Sequence, residues 1–201
     1  MTSIYLQSLY SLILSLAGFK KFGKNSIIKF PFRIWNKDKI EIGDDVFIAE
    51  NCFFAVSLTF KSQKFNPKVK IGNNVRIGGN FILGCINSVI IEDNVIFADR
   101  VFVSDHIHDY ENVRIPILRQ ELKSKGGILI KSGSFIGVNA VIMPGVTVGR
   151  NSVVGASSVV TKSVPDYAVV AGNPAKIIKQ YNRKNKAWEN IRNLVAKKHE
   201  R

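Results

Sequence analysis

The chain has 201 residues, of which 46% are hydrophobic and 22% charged, values typical of a globular domain with a packed core. Long disordered regions, collagen and coiled coil are therefore not expected. Two cysteines, Cys52 and Cys85, are too few for a disulfide scaffold and form no CxxC pair, which favours a reduced, cytoplasmic setting. The net charge of +14 indicates a polyanionic partner: nucleic acid, an anionic membrane or a phosphorylated ligand.

The positive charge is concentrated near the two ends of the chain. Residues 20–40 carry a net charge of +6 and residues 176–201 a net charge of +7, whereas residues 41–175 carry only +1. We expect no exposed aromatic residues interleaved with the basic residues of the two ends, and no helix-turn-helix, RNP or zinc-finger pattern is found. Nucleic acid is therefore not expected as a partner.

Residues 1–19 contain no charged side chain and are followed by Lys20 and Lys21. The segment lacks the basic start of a signal peptide and is short for a membrane span. We expect a helix over residues 3–17 that packs on the end of the domain. The alternative is an interfacial helix, with peripheral membrane contact through residues 1–24.

Apolar residues recur at every sixth position through most of the chain. The longest unbroken series is Ile130, Ile136, Ile142, Val148, Val154 and Val160. A helix repeats every 3.6 residues and a half-buried strand every two, so this period fits a short strand followed by a tight turn. Three such sides would close a triangular coil of about 18 residues, and stacked coils would form a solenoid of parallel strands.

The repeats resemble those of the hexapeptide-repeat acyltransferases, and the resemblance covers about residues 22–180. It is strongest over residues 136–149, 155–162 and 171–176, the last of which read Ala-Gly-Asn-Pro-Ala-Lys. Within the family, the chain is most similar to the maltose/galactoside O-acetyltransferase-like branch, especially its members that act on surface polysaccharides. The resemblance implies a left-handed parallel β-helix, acetyl-CoA as co-substrate, a homotrimer and no metal.

The predicted organisation is an all-β solenoid between two short terminal helices. The N-terminal helix would occupy residues 1–21, the β-helix residues 22–180, and a basic helix residues 181–201. The helical spacing of the apolar residues over 185–198 predicts an amphipathic helix that caps the open end of the solenoid. The main break in the repeat, residues 104–127, predicts a long functional loop, and a smaller break lies near residues 55–69.

The loop begins with two of the three histidines of the protein, His106 and His108. Acyl transfer from a thioester to a hydroxyl needs a base that accepts the hydroxyl proton, and a neutral imidazole suits this role. The resemblance assigns the base to His108, counted from Val101, and leaves His106 as the alternative. Asp105 would orient an imidazole.

A metal centre is not expected, because the third histidine, His199, lies in the C-terminal tail. A His-x-His pair without a third nearby ligand is a weak zinc site.

The resemblance also implies a donor-binding set for acetyl-CoA. Backbone groups would contact the thioester and pantetheine, and Lys and Thr side chains would lie beside the pantetheine and phosphates: Val138, Ala156, Thr161, Lys162, Lys176 and Lys179. A lysine neutralises a phosphate as a point charge but lacks the bidentate geometry of arginine. The alternative for the three lysines is a solvated charged face.

The expected function is O-acetylation of a sugar hydroxyl in a surface polysaccharide or its precursor, without a covalent intermediate. The enzyme would be cytoplasmic, with association at the inner face of the membrane as a further expectation. Asp109, directly after His108, leaves N-acetylation of an amino sugar open. A non-catalytic β-helix that acts as a scaffold or binding module is the alternative from another class.

Overall fold

The computed structural model of the chain describes residues 17–191. The helix expected over residues 3–17 lies outside these residues, except for Ala17. Within them, the backbone consists almost entirely of short strands joined by tight turns, as the six-residue period predicts. No helix in this part of the chain is long and apolar enough to cross a bilayer.

Most strands have only two to four residues. In chain order they are β1 (Lys21–Phe22), β2 (Ile27–Ile28), β3 (Phe32–Ile34), β4 (Ile40–Ile42), β5 (Phe47–Ile48), β6 (Cys52–Val56), β7 (Thr59–Phe60), β8 (Gln63–Lys64), β9 (Lys68–Ile71), β10 (Arg76–Ile77), β11 (Ile82–Cys85), β12 (Ser88–Ile91), β13 (Ile96–Phe97), β14 (Phe102–Ser104), β15 (Ile107–His108), β16 (Leu122–Lys123), β17 (Ile128–Ile130), β18 (Phe135–Ile136), β19 (Val141–Ile142), β20 (Thr147–Val148), β21 (Val153–Val154), β22 (Val159–Val160), β23 (Ala168–Ala171), β24 (Lys176–Asn182) and β25 (Ala187–Asn190). The described part of the chain also contains two short 3-10 helices, Lys37–Lys39 and Ile117–Arg119.

The strands form three parallel sheets, which are the three sides of a prism. Side one has the order β1-β4-β9-β12-β17-β20, side two begins β2-β5-β10-β13-β18-β21-β23, and side three has the order β3-β6-β11-β14-β19-β22. Each coil contributes one strand to each side, so six complete coils and the start of a seventh stack along the axis. The predicted all-β solenoid is confirmed.

The interior is filled by one to three inward-facing apolar residues from each strand of the three sides. On side two the inward residues stack in register from coil to coil as Ile28, Ile48, Ile77, Phe97, Ile136, Val154 and Val170. Each of them is at most 3% exposed. Because every strand is too short to be stable alone, this shared column of apolar side chains holds the coils together.

The corner between sides one and two is turned by residues in the left-handed region. Asn25, Asp45, Asn74 and Asn94 stack there with φ between 52° and 60°, a conformation that Asn and Asp tolerate better than other non-glycine residues. Their side chains also bond along the stack, as in the 2.8 Å bond from Asn74 Nδ2 to Asn94 Oδ1. The Asn and Asp residues between repeats are thus turn residues.

The coils differ in length at the corner between sides three and one, here called the third corner. Phe22 pairs with Ile42 and Ile71 with Ile91, twenty residues apart, whereas Ile130 pairs with Val148, eighteen residues apart. The two additional residues fall at the third corner, and both insertions leave the prism there. The first insertion, in the second coil, contains the hairpin β7–β8, and the second, in the fourth coil, contains the ribbon β15–β16.

The C-terminal segment is a β-hairpin where a helix was expected. β24 pairs antiparallel with β23, and β25 pairs antiparallel with β24, so residues 185–190 are turn and strand. The Asn182 side chain accepts the Lys184 backbone N–H at 2.9 Å and closes the turn, while the rings of Tyr181 and Trp188 meet across the strands at 5.6 Å. The prediction of a helix is therefore wrong over residues 185–190, because cross-strand pairing outweighs the local helical spacing of apolar residues. The rest of the predicted helix, apart from Ile191, lies outside the described residues.

Candidate active site

Asp105 lies at the start of the second insertion, directly after β14, and is completely buried. Its Oδ1 accepts the backbone N–H of Ile86 at 3.0 Å, and its Oδ2 accepts that of Asn87 at 2.8 Å. Both donors belong to the third corner of the preceding coil, which carries no insertion. The two N–H groups hold the carboxylate in one orientation and satisfy a buried acceptor.

The His106 imidazole is bonded to this carboxylate. Nδ1 of His106 lies 2.9 Å from Oδ1 of Asp105, and the His106 side chain is 18% exposed. Because a carboxylate can only accept, Nδ1 carries the proton and Nε2 of the neutral ring is left as an acceptor. Ser104 Oγ donates to the His106 carbonyl at 2.8 Å and fixes the local backbone. This arrangement suits a general base.

The two histidines line one cavity of about 330 Å³ beside the third corner. Its remaining lining residues come from the fourth and fifth coils and are largely apolar: Phe102, Ser104, Ile107, Met143 and Pro144. An imidazole with a free nitrogen therefore faces a cavity that can exclude water from part of a substrate.

His108 differs from His106 in its surroundings. It is exposed, it lies in β15 opposite Leu122 of β16, and its ring packs edge-on against Phe60 with centroids 5.4 Å apart. Phe60 belongs to the first insertion. The structure thus pairs His106 with the carboxylate and His108 with an aromatic ring.

The two insertions hold each other. Lys61 Nζ donates to the carbonyls of Leu118 and Gln120 at 2.5 and 2.6 Å. The Gln63 amide donates to the Leu122 carbonyl at 3.0 Å and accepts the Leu122 N–H at 2.8 Å. This set of bonds, here called the clasp, holds β16, and the partner strand β15 carries the cavity residues Ile107 and His108.

Sequence reasoning missed Phe60, Lys61 and Gln63. The available signal was that the two breaks in the repeat occupy the same position in their coils. Insertions at equivalent positions must leave the same corner and lie near each other.

Cys85 completes the surroundings of Asp105. Its Sγ lies 3.4 Å from Oδ2 of Asp105, and both cysteines are free and buried. Burial raises the pKa of the Cys85 thiol, and the nearby Asp105 carboxylate raises it further. Cys85 therefore stays a thiol that donates to the carboxylate and is a poor nucleophile.

The residues expected to bind the donor lie at both ends of β19 and β22. At one end, the exposed Ala156 and the half-buried Val138 occupy neighbouring corners, where Ser157 N–H bonds the Val138 carbonyl at 2.8 Å. Lys176 is close to them, because it pairs with Ala171 as the chain turns back into β24.

At the other end of β22, Thr161 and Lys162 are exposed and follow the strand directly. They stand one coil beyond Met143, whose N–H bonds the Val160 carbonyl, so they lie next to the cavity. Lys179 is exposed further along β24, opposite Val169. Residues 17–191 contain no group of three or more His, Cys, Asp or Glu side chains placed to hold a metal.

Comparison with known proteins identifies the repeats. Residues 127–162 match the model of the bacterial transferase hexapeptide, with six repeats, and residues 68–98 match the hexapeptide repeat of succinyl-transferase. The chain is similar to the putative lipopolysaccharide biosynthesis O-acetyl transferase WbbJ of Escherichia coli K12, at 40% identity over 84 residues. The match spans 42% of this chain and 42% of that protein.

Two solved structures are similar over more of the chain. AntD, an N-acyltransferase from Bacillus cereus in complex with dTDP and 3-hydroxybutyryl-CoA, has a TM-score of 0.73 and 27% identity, over 94% of this chain and 96% of that one. Galactoside acetyltransferase in complex with coenzyme A has a TM-score of 0.58 and 32% identity, over 72% of this chain and 66% of that one. The chain therefore has the repeats and the fold of the hexapeptide-repeat acyltransferases and is similar to galactoside acetyltransferase among them.

Proposed function

We propose that the protein is an acetyl-CoA-dependent acyltransferase that uses His106 as its general base. The observation that carries the proposal is the bond from His106 Nδ1 to the buried Asp105, which leaves Nε2 free beside the cavity. The two relatives of solved structure named above contain coenzyme A or an acyl-CoA, which supports acetyl-CoA as co-substrate. The sequence favoured His108, but the geometry supports His106.

In the proposed reaction, the acceptor adds directly to the thioester and the tetrahedral intermediate then breaks down, without a covalent acyl-enzyme. His106 Nε2 accepts the proton of the acceptor hydroxyl while the hydroxyl oxygen attacks the thioester carbonyl carbon. The tetrahedral intermediate then expels the CoA sulfur, which takes the proton from the imidazolium, so the products are the acetyl ester and the free thiol. The Asp105 carboxylate stabilises the imidazolium during the reaction.

The proposed acceptor is a sugar hydroxyl of a surface polysaccharide or its precursor. The likeness to WbbJ supports O-acetylation. The likeness to AntD, whose structure holds dTDP, supports the second candidate, N-acylation of an amino sugar carried on a nucleotide. A base at His106 serves both reactions, since either nucleophile must lose a proton.

Acetyl-CoA is proposed to lie along the fifth and sixth coils. Its thioester would face the cavity near Thr161 and Lys162, which follow β22 next to Met143. Val138, whose backbone the resemblance places at the thioester, precedes β19 and so lies at the opposite end of that strand from the cavity residue Met143. Val138, Ala156, Lys176 and Lys179 form the remainder of the proposed donor set.

A homotrimer is proposed to complete the donor site. The outer surfaces of sides two and three carry large apolar side chains that are 38 to 48% exposed, namely Ile82, Ile96, Phe102 and Phe135. Covering these side chains with further copies of the chain would remove apolar surface from water. Analytical ultracentrifugation tests the assembly directly.

Thiol release from acetyl-CoA with a panel of sugars, amino sugars and nucleotide-linked sugars tests the function. Turnover with hydroxyl acceptors supports O-acetylation, and turnover confined to amino sugars supports the second candidate. If the protein does not bind acetyl-CoA by calorimetry, the enzyme proposal fails and a non-catalytic β-helix is the better description.

A further inference from the structure

The first coil of the prism carries a ring of cations. Exposed Lys21 and Arg33 project from two of its sides, exposed Lys24 and Lys29 lie at two corners, and half-buried Lys37 lies at the third corner. None of the five forms an ion pair with a carboxylate of residues 17–191, whereas Lys20 and Lys39 in the same coil pair with Glu41 and Asp38. The unpaired charge therefore surrounds the axis of the solenoid and does not mark one face.

Two large aromatic side chains accompany this ring. Phe30 is 80% exposed and Trp35 is 48% exposed, and they lie at two different corners of the first coil. The Arg33 guanidinium lies over the rings of Phe53 at 3.7 Å and Trp35 at 5.9 Å. These exposed rings differ from the sequence-based expectation of no exposed aromatic residues among the basic ones. Exposed aromatic rings among Lys and Arg are typical of surfaces that sit in the headgroup region of a bilayer.

The ring lies at the end of the fold. Among residues 17–191, β1, β2 and β3 are the terminal strands of the three sides, so the first coil is one end of the solenoid that the structure describes. The second coil begins with acidic residues at its corners, Asp44, Asp45 and Glu50, and does not continue the cationic surface. An elongated polyanion lying along one side would meet few of these cations, whereas a flat anionic surface at this end faces the coil that carries all of them. The cationic groups of Lys29 and Arg33 lie over second-coil rings, those of Phe47 and Phe53.

We propose that the first coil docks end-on to an anionic lipid bilayer. The cations of the ring contact lipid phosphates, and Phe30 and Trp35 enter the headgroup region. This surface is distinct from the cavity beside His106, which lies in the fourth and fifth coils. The proposal concerns where the protein works, so it stands or falls separately from the acyl-transfer proposal.

Sedimentation with vesicles tests the role of the charge. The full chain should bind phosphatidylcholine vesicles that contain phosphatidylglycerol and should bind pure phosphatidylcholine much more weakly. The triple variant Lys21→Gln/Lys24→Gln/Lys29→Gln should lower the partition coefficient about 100-fold. A matched control removes three exposed cations from the hairpin at the other end of the solenoid, Arg183→Gln/Lys184→Gln/Lys186→Gln, and should bind as the wild type does.

Tryptophan emission tests the end-on contact. In the Trp188→Phe variant Trp35 is the remaining tryptophan, and its emission should shift to the blue when anionic vesicles are added. Equal loss of binding in the two triple variants, equal binding to neutral vesicles, or an unchanged Trp35 spectrum would each overturn the proposal. Binding of RNA in place of vesicles, with the same dependence on the first coil, would also overturn it. Acetyl transfer to a soluble acceptor should be unaffected by the first-coil substitutions.

Discussion

Oδ1 of Asp105 lies 2.9 Å from Nδ1 of His106, and this bond between consecutive residues is fixed by a different coil of the solenoid. The carboxylate is held by the N–H groups of Ile86 and Asn87, 19 and 18 residues earlier and one coil away. The third corner of that coil, which contains Ile86 and Asn87, is two residues longer than in the 18-residue coils. This extension presents both N–H groups to the carboxylate. The direction of the imidazole is therefore determined by the stacking of the coils.

Removal of the proposed base should separate the two histidines. We expect His106→Ala to lower kcat by about 10²- to 10⁴-fold, because the general base that takes the proton from the substrate hydroxyl would be missing. His108→Ala should lower kcat less than about tenfold and act mainly through KM, because its ring packs on Phe60 at the cavity wall. Steady-state thiol release measures both. A loss of turnover in His108→Ala with an active His106→Ala would assign the base to His108.

Asp105→Asn should impair both stability and catalysis. An amide in place of the carboxylate leaves one backbone N–H of the Ile86–Asn87 corner without an acceptor, which costs about 1–3 kcal/mol. It also removes the charge that stabilises the imidazolium, so kcat should fall at least about tenfold, equivalent to about 1.4 kcal/mol in the barrier. Nitrogen chemical shifts of His106 should show loss of the single Nδ1–H tautomer.

Asp99→Asn is the matched control for this substitution. Asp99 Oδ1 accepts the Gly79 N–H at 2.8 Å, so Asp99 is a corner carboxylate of the same coil without a histidine partner. Asp99 is exposed, and the amide oxygen of an asparagine would still accept the Gly79 N–H, so this variant should keep both stability and kcat. An equal loss of kcat in both variants would show that the effect of Asp105→Asn does not depend on the bond to His106.

Gly84 lies against the imidazole and should not tolerate a side chain. A Cβ on Gly84 would stand 3.1 Å from Cε1 of His106 and 2.9 Å from Oγ of Ser104. Gly84→Ala should therefore displace His106 and lower kcat, with a stability loss of about 1–3 kcal/mol from overpacking. Gly79→Ala is the control, since its nearest contact would be 3.4 Å from the Glu50 carbonyl, and it should keep full activity.

The fold could be predicted because the six-residue period is a local property of the sequence. Residues such as Ile136, Ile142 and Val148 each end a short strand and point inward, so their spacing reports the length of one side. The C-terminal hairpin could not be predicted in the same way. It depends on pairing between β24 and β23, and the spacing of Trp188 and Ile191 fits a helix equally well.

The residues of the site could be predicted from the sequence, but their arrangement could not. Asp105, His106 and His108 stand together in the sequence, and on extended backbone the two histidines would share one face. The chain instead buries Asp105 and turns His106 onto it, while His108 enters the ribbon β15–β16. The choice between the histidines therefore depends on contacts with the N–H groups of the preceding coil, and no local sequence pattern predicts these contacts.

The clasp should control the acceptor more than the chemistry. Lys61→Ala removes two bonds to carbonyls of the second insertion, and Gln63→Ala removes both bonds to Leu122. Each should raise the KM of the acceptor by about three- to tenfold while kcat changes little. This change in KM corresponds to the loss of a typical hydrogen bond, which contributes about 0.5–1.5 kcal/mol.

Amide hydrogen exchange gives an independent test of the clasp. Residues 105–127 should exchange faster in Lys61→Ala and Gln63→Ala than in the wild type, because the second insertion opens more often. Lys64→Ala changes an exposed lysine of the same hairpin and should leave exchange and KM unaltered. Unchanged exchange in Lys61→Ala would show that the insertion is held by other contacts.

Cys52 should make the stability of the solenoid depend on alkaline pH. Burial raises the pKa of its thiol from 9.0 to about 11, and its Sγ lies 3.1 Å from the Ala49 carbonyl. The folded state therefore holds this proton more tightly than the unfolded state. The stabilisation is complete below pH 9 and is lost as the pH rises through the folded pKa, by about 2–3 kcal/mol. Urea unfolding at pH 8 and pH 11 should show a smaller difference in the Cys52→Ala variant than in the wild type. An equal difference in the two proteins would assign the alkaline loss to other groups.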